Sequence, residues 1–129
     1  MKIAVRYYSR GGNVKKLAEA IAKTVKSEAV PVDQEGENLQ ADLLFLGGAL
    51  YAYGIDEHLR QYIQKLDSEK VGKVVLFSAS WISKHAGTLM RRALEERKIP
   101  VESEIFFQKG RVRPEDLERI SEFAETFIK

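Results

Sequence analysis

The chain has 129 residues, 44% hydrophobic and 31% charged, a balance that indicates a folded globular domain and argues against disorder. It has no cysteine, which excludes disulfides, thiol catalysis and iron–sulfur ligation, and two separate histidines argue against a zinc site. The formal net charge of +2 is too small to indicate nucleic-acid binding. The apolar runs are too short to span a bilayer and the start of the chain lacks a secretory pattern, so we expect a cytoplasmic protein with no membrane partner.

Apolar periodicity divides the chain into alternating short and long segments. The short segments predict strands at Ile3 to Tyr8, Ala29 to Asp33, Leu43 to Leu46, Lys73 to Ala79 and Val101 to Phe107. The long segments predict amphipathic helices with apolar stripes running from Val14 to Val25, Ile55 to Leu66, Leu89 to Leu94 and Leu117 to Phe127. Residues 34–40 are polar and read as a loop, and Pro114 is placed to open the last helix at its first turn.

This alternation of strands and helices implies right-handed crossovers and a parallel sheet that is covered on both faces. The strands around Ile3, Leu43 and Val74 are the most apolar and should be central, while those around Val30 and Ile105 should be edges. The sequence therefore predicts a single α/β domain over residues 1–129. Its sheet should be a doubly wound, five-stranded parallel sheet of order 2-1-3-4-5 with helices on both faces. Ligands bind such a sheet outside the carboxyl ends of its strands.

The first loop at that edge is rich in glycine and directly precedes a helix. It consists of Ser9, Arg10, Gly11, Gly12, Asn13 and Val14. Such a turn exposes backbone N–H groups next to the positive end of the helix dipole, which suits a phosphate, and Ser9 and Asn13 can add side-chain donors. Alternatively, the glycines only permit a tight turn and Asn13 caps the helix.

The segment from Tyr7 to Ala18 resembles the phosphate loop of flavodoxins, which typically reads Tyr-Ser-x-Thr-Gly-Asn-Thr before an amphipathic helix. Ser9, Gly12 and Asn13 match this pattern, whereas Gly11 and Val14 replace its two threonines. The replacements remove two hydroxyl donors but keep their backbone N–H groups, and Arg10, Lys15 or Lys16 can supply compensating charge. The resemblance implies a flavodoxin-like fold of the small bacterial type, with FMN as the cofactor.

Two further loops resemble the flavin loops of small flavodoxins. The second loop runs from Gly47 to Asp56, and its glycines, Gly47, Gly48 and Gly54, let the backbone approach a flat ligand. Its two tyrosines could stack on a flat ring or simply be half-buried surface aromatics. The third loop contains the single tryptophan of the chain, which could stack on the outer flavin face or cover the edge of a core. The cofactor residues expected from the two loops are Ala49, Leu50, Tyr51, Ala52, Tyr53, Gly54, Ser78, Ala79, Ser80 and Trp81.

The leading functional hypothesis is a flavodoxin-like electron carrier that binds FMN and serves a redox partner protein, as a monomer or a homodimer. One alternative is a small FMN-dependent quinone or flavin reductase. The other is an accessory protein of the same fold with a weakened FMN site. We assign no catalytic residue and no metal ligand. His58 is expected on an exposed helix face and His85 near a helix start, and neither belongs to a recognisable triad.

Overall fold

The computed structural model describes residues 1–34, 39–51, 54–80 and 85–128, with Leu50, Tyr51 and His85 described by their backbone only. Within these ranges, strands and helices alternate along the chain except between the first and second helices, where four strands follow one another. The strands are β1 (Ile3–Tyr7), β2 (Ala29–Pro31), β3 (Ala41–Gly48), β4 (Leu50–Tyr51), β5 (Gly54–Ile55), β6 (Val71–Ser80) and β7 (Val101–Lys109). The helices are α1 (Asn13–Val25), α2 (Glu57–Lys65), α3 (His85–Glu96) and α4 (Pro114–Glu125).

Five of the strands form one parallel sheet in the order β2-β1-β3-β6-β7, which confirms the predicted doubly wound order and the predicted edges. Tyr7 of β1 is the register partner of Gly47 of β3, so these two strands end side by side. Gly48 of β3 is in turn the partner of Ser78 of β6. The segments that follow these three strands therefore leave the sheet at the same edge.

Two apolar cores, one on each face, hold the sheet. On β3, Leu44 and Leu46 belong to the core under α2 and α3, while Phe45 belongs to the core under α1 and α4. All three side chains are fully buried, and burying one such side chain contributes about 1.5–3 kcal/mol. Because both faces are packed, the carboxyl ends of the central strands are firmly placed. The predicted apolar stripe of α1 is buried as expected.

Two predicted boundaries at the carboxyl edge are wrong. Ile55 does not begin the second helix, because it pairs in β5 with Leu50 of β4, and α2 starts at Glu57. The third loop was expected to begin at Ser78, but Ser78 and Ala79 belong to the strand, as the predicted range Lys73 to Ala79 had it, and β6 continues to Ser80 because β7 pairs with all three residues.

The helix starts are closer to the predictions. Pro114 opens α4 and His85 opens α3, both as predicted. Residues 35–38 of the predicted polar loop lie outside the described part of the chain. In the ranges that the structure describes, no helix is long and apolar enough to cross a membrane.

Candidate functional site

The turn between β1 and α1 carries two glycines that face open space. Among the described residues, no heavy atom beyond the immediate neighbours lies within 4 Å of a Cβ built on Gly11 or Gly12. Gly12 precedes α1 with φ 93°, a left-handed conformation in which a branched side chain would be strained. Ser9 supports the turn, because its Oγ accepts a hydrogen bond from the Gly12 N–H at 3.0 Å. The turn thus presents its backbone to the space above it.

The first turn of α1 leaves donors available at the same place. In the described part of the chain, no side chain caps the helix at Gly12, and the first turn contains no acidic residue. The backbone hydrogen bonds of the helix begin with Lys16 N–H to Gly12 O at 3.1 Å, so the N–H groups of residues 13–15 have no partner within the helix. These donors and the helix dipole together favour an anion.

Two side chains of this segment act differently from the expectation. The alternative in which Asn13 caps α1 is wrong, because Gly12 holds the cap position and Asn13 Oδ1 accepts a hydrogen bond from Val112 N–H at 3.2 Å. Val14 stands where the flavodoxin loop has a threonine, and its side chain is 2% exposed within the core under α1 and α4. The Val14 side chain therefore cannot replace the threonine as a ligand donor.

The second loop folds into a short antiparallel hairpin, in which Tyr51 of β4 pairs with Gly54 of β5. Gly54 has φ 112° and lies two residues before the cap of α2, so it does not cap that helix. Ala52 and Tyr53 lie outside the described residues, and the side chains of Leu50 and Tyr51 are not described. Stacking by either tyrosine therefore stays a prediction.

The two glycines that end β3 differ from those of the first loop. A Cβ on Gly47 would lie 2.1 Å from the Phe77 ring, and one on Gly48 would lie 2.3 Å from Leu59 Cδ2. These glycines make room for core side chains, and not for a ligand. Open space around glycine thus distinguishes the turn at Gly11 and Gly12 from the end of β3.

Asp56 is a polar residue at this edge that the sequence analysis missed. It is 2% exposed and caps α2, accepting from the His58 N–H at 2.7 Å and from His58 Nδ1 at 2.8 Å. It also accepts from Arg10 Nε at 3.0 Å and Arg10 Nη2 at 2.5 Å. Asp56 and Glu57 directly precede the buried stripe of α2, which begins at Leu59, and an acidic residue at such a position is a known sign of a helix start. The cap was missed because Ile55 was counted as the first residue of the stripe.

The expectation for Arg10 changes accordingly, whereas His58 lies on an exposed helix face as predicted. The Arg10 guanidinium contacts Asp56, so its charge is already engaged by a carboxylate. The His58 side chain is 52% exposed, but its ring stacks on Tyr8 with centroids 4.6 Å apart and planes 11° apart. Burial alone would raise the pKa of Asp56, but hydrogen bonds from the His58 backbone, the His58 ring and Arg10 outweigh it, so the pKa lies below its usual value. Asp56 is a carboxylate at neutral pH.

The third segment lies at the end of β6. Ser78 and Ala79 are buried, Ser80 is partly exposed, and Trp81 lies outside the described residues. The contacts predicted for these four residues with a cofactor stay predictions. Within the described ranges, no group of three or more histidine or acidic side chains could hold a metal ion.

The first loop fits the phosphate of FMN by its chemistry. A phosphate needs several N–H donors, positive potential and room for its oxygens. The start of α1 supplies uncapped N–H groups, the positive helix end and two glycines beside open space. Lys15 and Lys16 are exposed in the first turn and add positive charge.

Comparisons with known proteins agree with this chemistry. The family model described as Flavodoxin domain matches residues 4–127. The fold is similar to that of oxidised Flavodoxin 1 from Bacillus cereus, with TM-score 0.82, 20% identity, and coverage of 99% of this chain and 97% of that chain. It is also similar to a flavodoxin from the domain Archaea, with TM-score 0.78, 19% identity, and coverage of 96% and 94%.

A larger protein contains a similar unit. The rubredoxin oxygen:oxidoreductase of Desulfovibrio gigas matches with TM-score 0.84 and 14% identity over 97% of this chain but only 34% of its own. No curated protein matches the sequence. Because the family model spans nearly the whole sequence, the chain belongs to the flavodoxin-domain family, whose cofactor is FMN.

Proposed function

We propose that this chain is an electron carrier that holds FMN with its phosphate against the backbone of residues 9–14. The observation that carries the proposal is the open start of α1, where two glycines and uncapped N–H groups face free space. A side-chain cap or an acidic residue in the first turn would compete with a phosphate. Among the described residues, the start of α1 has neither.

The ring of the cofactor belongs, in this proposal, between residues 49–54 and 78–81. Support comes from the sheet, since Gly48 and Ser78 are register partners and both segments therefore leave from adjacent strand ends. Tyr51, Tyr53 and Trp81 are the aromatic candidates for stacking on the ring. FMN supplies the redox chemistry when bound, and the chain binds, orients and partly shields it.

The proposal includes a redox partner protein, because a carrier must exchange its electrons with another protein. A formal net charge of +2 gives no strong attraction to a basic partner, so we expect recognition to depend on local surface shape and charge.

Titration of the apoprotein with FMN and with riboflavin, followed by flavin fluorescence, tests both parts of the proposal. FMN should bind at one per chain and quench Trp81 emission, and riboflavin, which lacks the phosphate, should bind at least about tenfold more weakly. Equal affinity for the two flavins would contradict the phosphate placement. A protein that binds neither flavin would contradict the function and favour the accessory role.

A turnover assay separates the carrier from the reductase. The FMN-loaded protein should be reduced and reoxidised by redox proteins, and should show no sustained oxidation of a nicotinamide donor by a quinone. Sustained turnover with a quinone would instead identify an FMN-dependent reductase.

A further inference from the structure

Asp56 lies where the two proposed cofactor loops come together. It follows β5 directly and so ends the second loop, and its side chain reaches Arg10 in the first loop, 46 residues away in sequence. Its Oδ2 accepts from Arg10, while its Oδ1 accepts from the backbone and ring of His58. One buried carboxylate therefore joins the turn before α1 to the start of α2.

Neighbouring contacts hold this carboxylate in place. His58 stacks on Tyr8, the residue between β1 and the first loop, and the Tyr8 N–H donates to Gly47 O at 3.1 Å. The link between the loops thus rests on the ends of β1 and β3, which both cores hold firmly. A charge-assisted pair with one member almost fully buried is stronger and more sharply oriented than a surface ion pair.

We propose that Asp56 is a positioning residue, which holds the Arg10 side chain and thereby fixes the phosphate loop relative to the flavin loop. The inference deepens the proposed FMN site and rests on it. Arg10 then acts through Asp56 and does not contact the phosphate. The backbone of the turn binds the phosphate instead.

The competing role for Arg10 makes opposite predictions. If Arg10 belonged to the phosphate and the contact with Asp56 merely diverted it, releasing Arg10 from Asp56 would tighten FMN binding. If the pair positions the loops, releasing Arg10 weakens binding. Riboflavin serves as the reference for the flavin loop, because a ligand without a phosphate does not report on the phosphate loop.

The experiment measures FMN and riboflavin affinities for the wild type, Asp56→Asn and Arg10→Gln by flavin fluorescence. Asp56→Asn keeps an oxygen that can cap α2 but removes the charge that holds Arg10, and Arg10→Gln leaves the cap untouched. Positioning predicts that both variants weaken FMN binding to a similar degree, by about fivefold or more, and weaken riboflavin binding less. Arg60→Gln is the matched control, because Arg60 lies in the same helix and its side chain pairs with the exposed Glu57 at 3.5 Å, away from Asp56. It should leave both affinities unchanged.

Three results would overturn the inference. Tighter FMN binding by Asp56→Asn, or unchanged FMN binding by Asp56→Asn beside weaker binding by Arg10→Gln, would assign Arg10 to the phosphate. Lower melting temperatures with both affinities unchanged would leave the pair a purely structural role. A wild-type protein that binds no flavin would instead reject the proposed function itself, so the two failures are distinguishable.

Discussion

Helices α1 and α4 begin at the same edge of the sheet and cover the same core, but they close their first turns differently. Helix α4 has Glu115 and Asp116 in its first turn, and Asp116 Oδ2 accepts from the Arg113 N–H at 2.9 Å. Helix α1 has Lys15 at the position that corresponds to Asp116, and no side chain among the described residues caps it. In α4 the protein supplies the negative charge that a helix start favours, while in α1 that charge is missing.

The difference shows where an anion can bind. A helix start closed by its own carboxylate gains stability but offers few donors, whereas an open one keeps its donors at some loss of stability. Both types occur on one face of this sheet, so the open start of α1 is a local feature of its sequence and not a property of the fold. An acidic residue added to the first turn of α1 should therefore raise stability but weaken FMN binding. Loss of the carboxylate that closes α4 should lower stability without changing FMN affinity.

The largest effect is expected from Gly12→Val. A branched side chain at φ 93° strains the turn and fills the space that the phosphate needs, so FMN binding should be lost. Titration of flavin fluorescence checks this, with far-UV circular dichroism to confirm that the variant is folded.

The matched control for Gly12→Val is Gly72→Ala at the opposite end of the sheet. A Cβ there would lie 2.6 Å from the Asp42 backbone oxygen, so the variant should be less stable while its folded form binds FMN normally. Undiminished FMN affinity in Gly12→Val would reject the phosphate placement.

A smaller effect is expected from Lys15→Asp, which gives α1 the acidic residue that α4 has. The carboxylate should stabilise the helix by about 0.3–1 kcal/mol through the dipole. It should also repel the phosphate and weaken FMN binding by about tenfold. Chemical denaturation of the apoprotein and FMN titration measure the two effects. Lys23→Asp in the last turn of the same helix should lower stability without changing FMN affinity, and a similar loss of affinity in both variants would point to net charge alone.

Opening α4 should affect stability and its pH dependence but not the cofactor. The Arg113 N–H, assisted by the Arg119 and Arg113 side chains, holds the pKa of Asp116 below its usual value despite burial. Because the folded pKa is depressed, this stabilisation is complete above the unfolded pKa of about 3.9 and disappears as pH falls through the folded pKa. Wild-type stability should therefore decrease below about pH 4, and Asp116→Asn should be less stable at neutral pH with a shallower decrease in acid. If wild type and Asp116→Asn lost stability equally in acid, or if the variant bound FMN more weakly, the prediction that Asp116 affects stability but not FMN binding would be contradicted.

The fold could be predicted because its signal is local. Apolar spacing within single segments, such as the α1 stripe from Val14 to Val25, identifies strands and helices, and alternation then restricts the topology. The hairpin of β4 and β5 was missed because each strand has two residues, too few to show a period. The start of the third loop was placed too early, at Ser78, because the last residues of β6 depend on pairing with β7, which is 29 positions away for Ser78 and Phe107.

The candidate site was predictable where a motif sits on one turn and not where distant residues meet. Gly11 and Gly12 reveal the open turn because glycine before a helix has a direct backbone consequence. The sequence gives no sign that Arg10 reaches Asp56, since nothing in either segment specifies a partner 46 residues away. Gly47 and Gly48 show the reverse error, because glycines that suggest a ligand in sequence instead make room for Phe77 and Leu59.

The smallest effect is expected from Asn13→Ala, which tests whether the start of α1 works through its backbone. Asn13 Oδ1 accepts from Val112 N–H at 3.2 Å and so connects the α1 start to the segment before α4. Val112 is 8% exposed, so the alanine variant leaves a mostly buried N–H without its partner and should lose about 1–2 kcal/mol of stability. Its FMN affinity should change by less than about threefold, because the residue 13 N–H remains in place.

Asn13→Asp keeps the oxygen acceptor and should keep the stability that the alanine variant loses, but its charge should weaken FMN binding as Lys15→Asp does. If the backbone binds the phosphate, denaturation curves should show lower stability for Asn13→Ala alone, and flavin titrations should show weaker FMN binding for Asn13→Asp alone. A large loss of FMN affinity in Asn13→Ala with unchanged stability would show instead that the Asn13 side chain is itself a phosphate ligand, and that the open start of α1 is not sufficient to hold the cofactor.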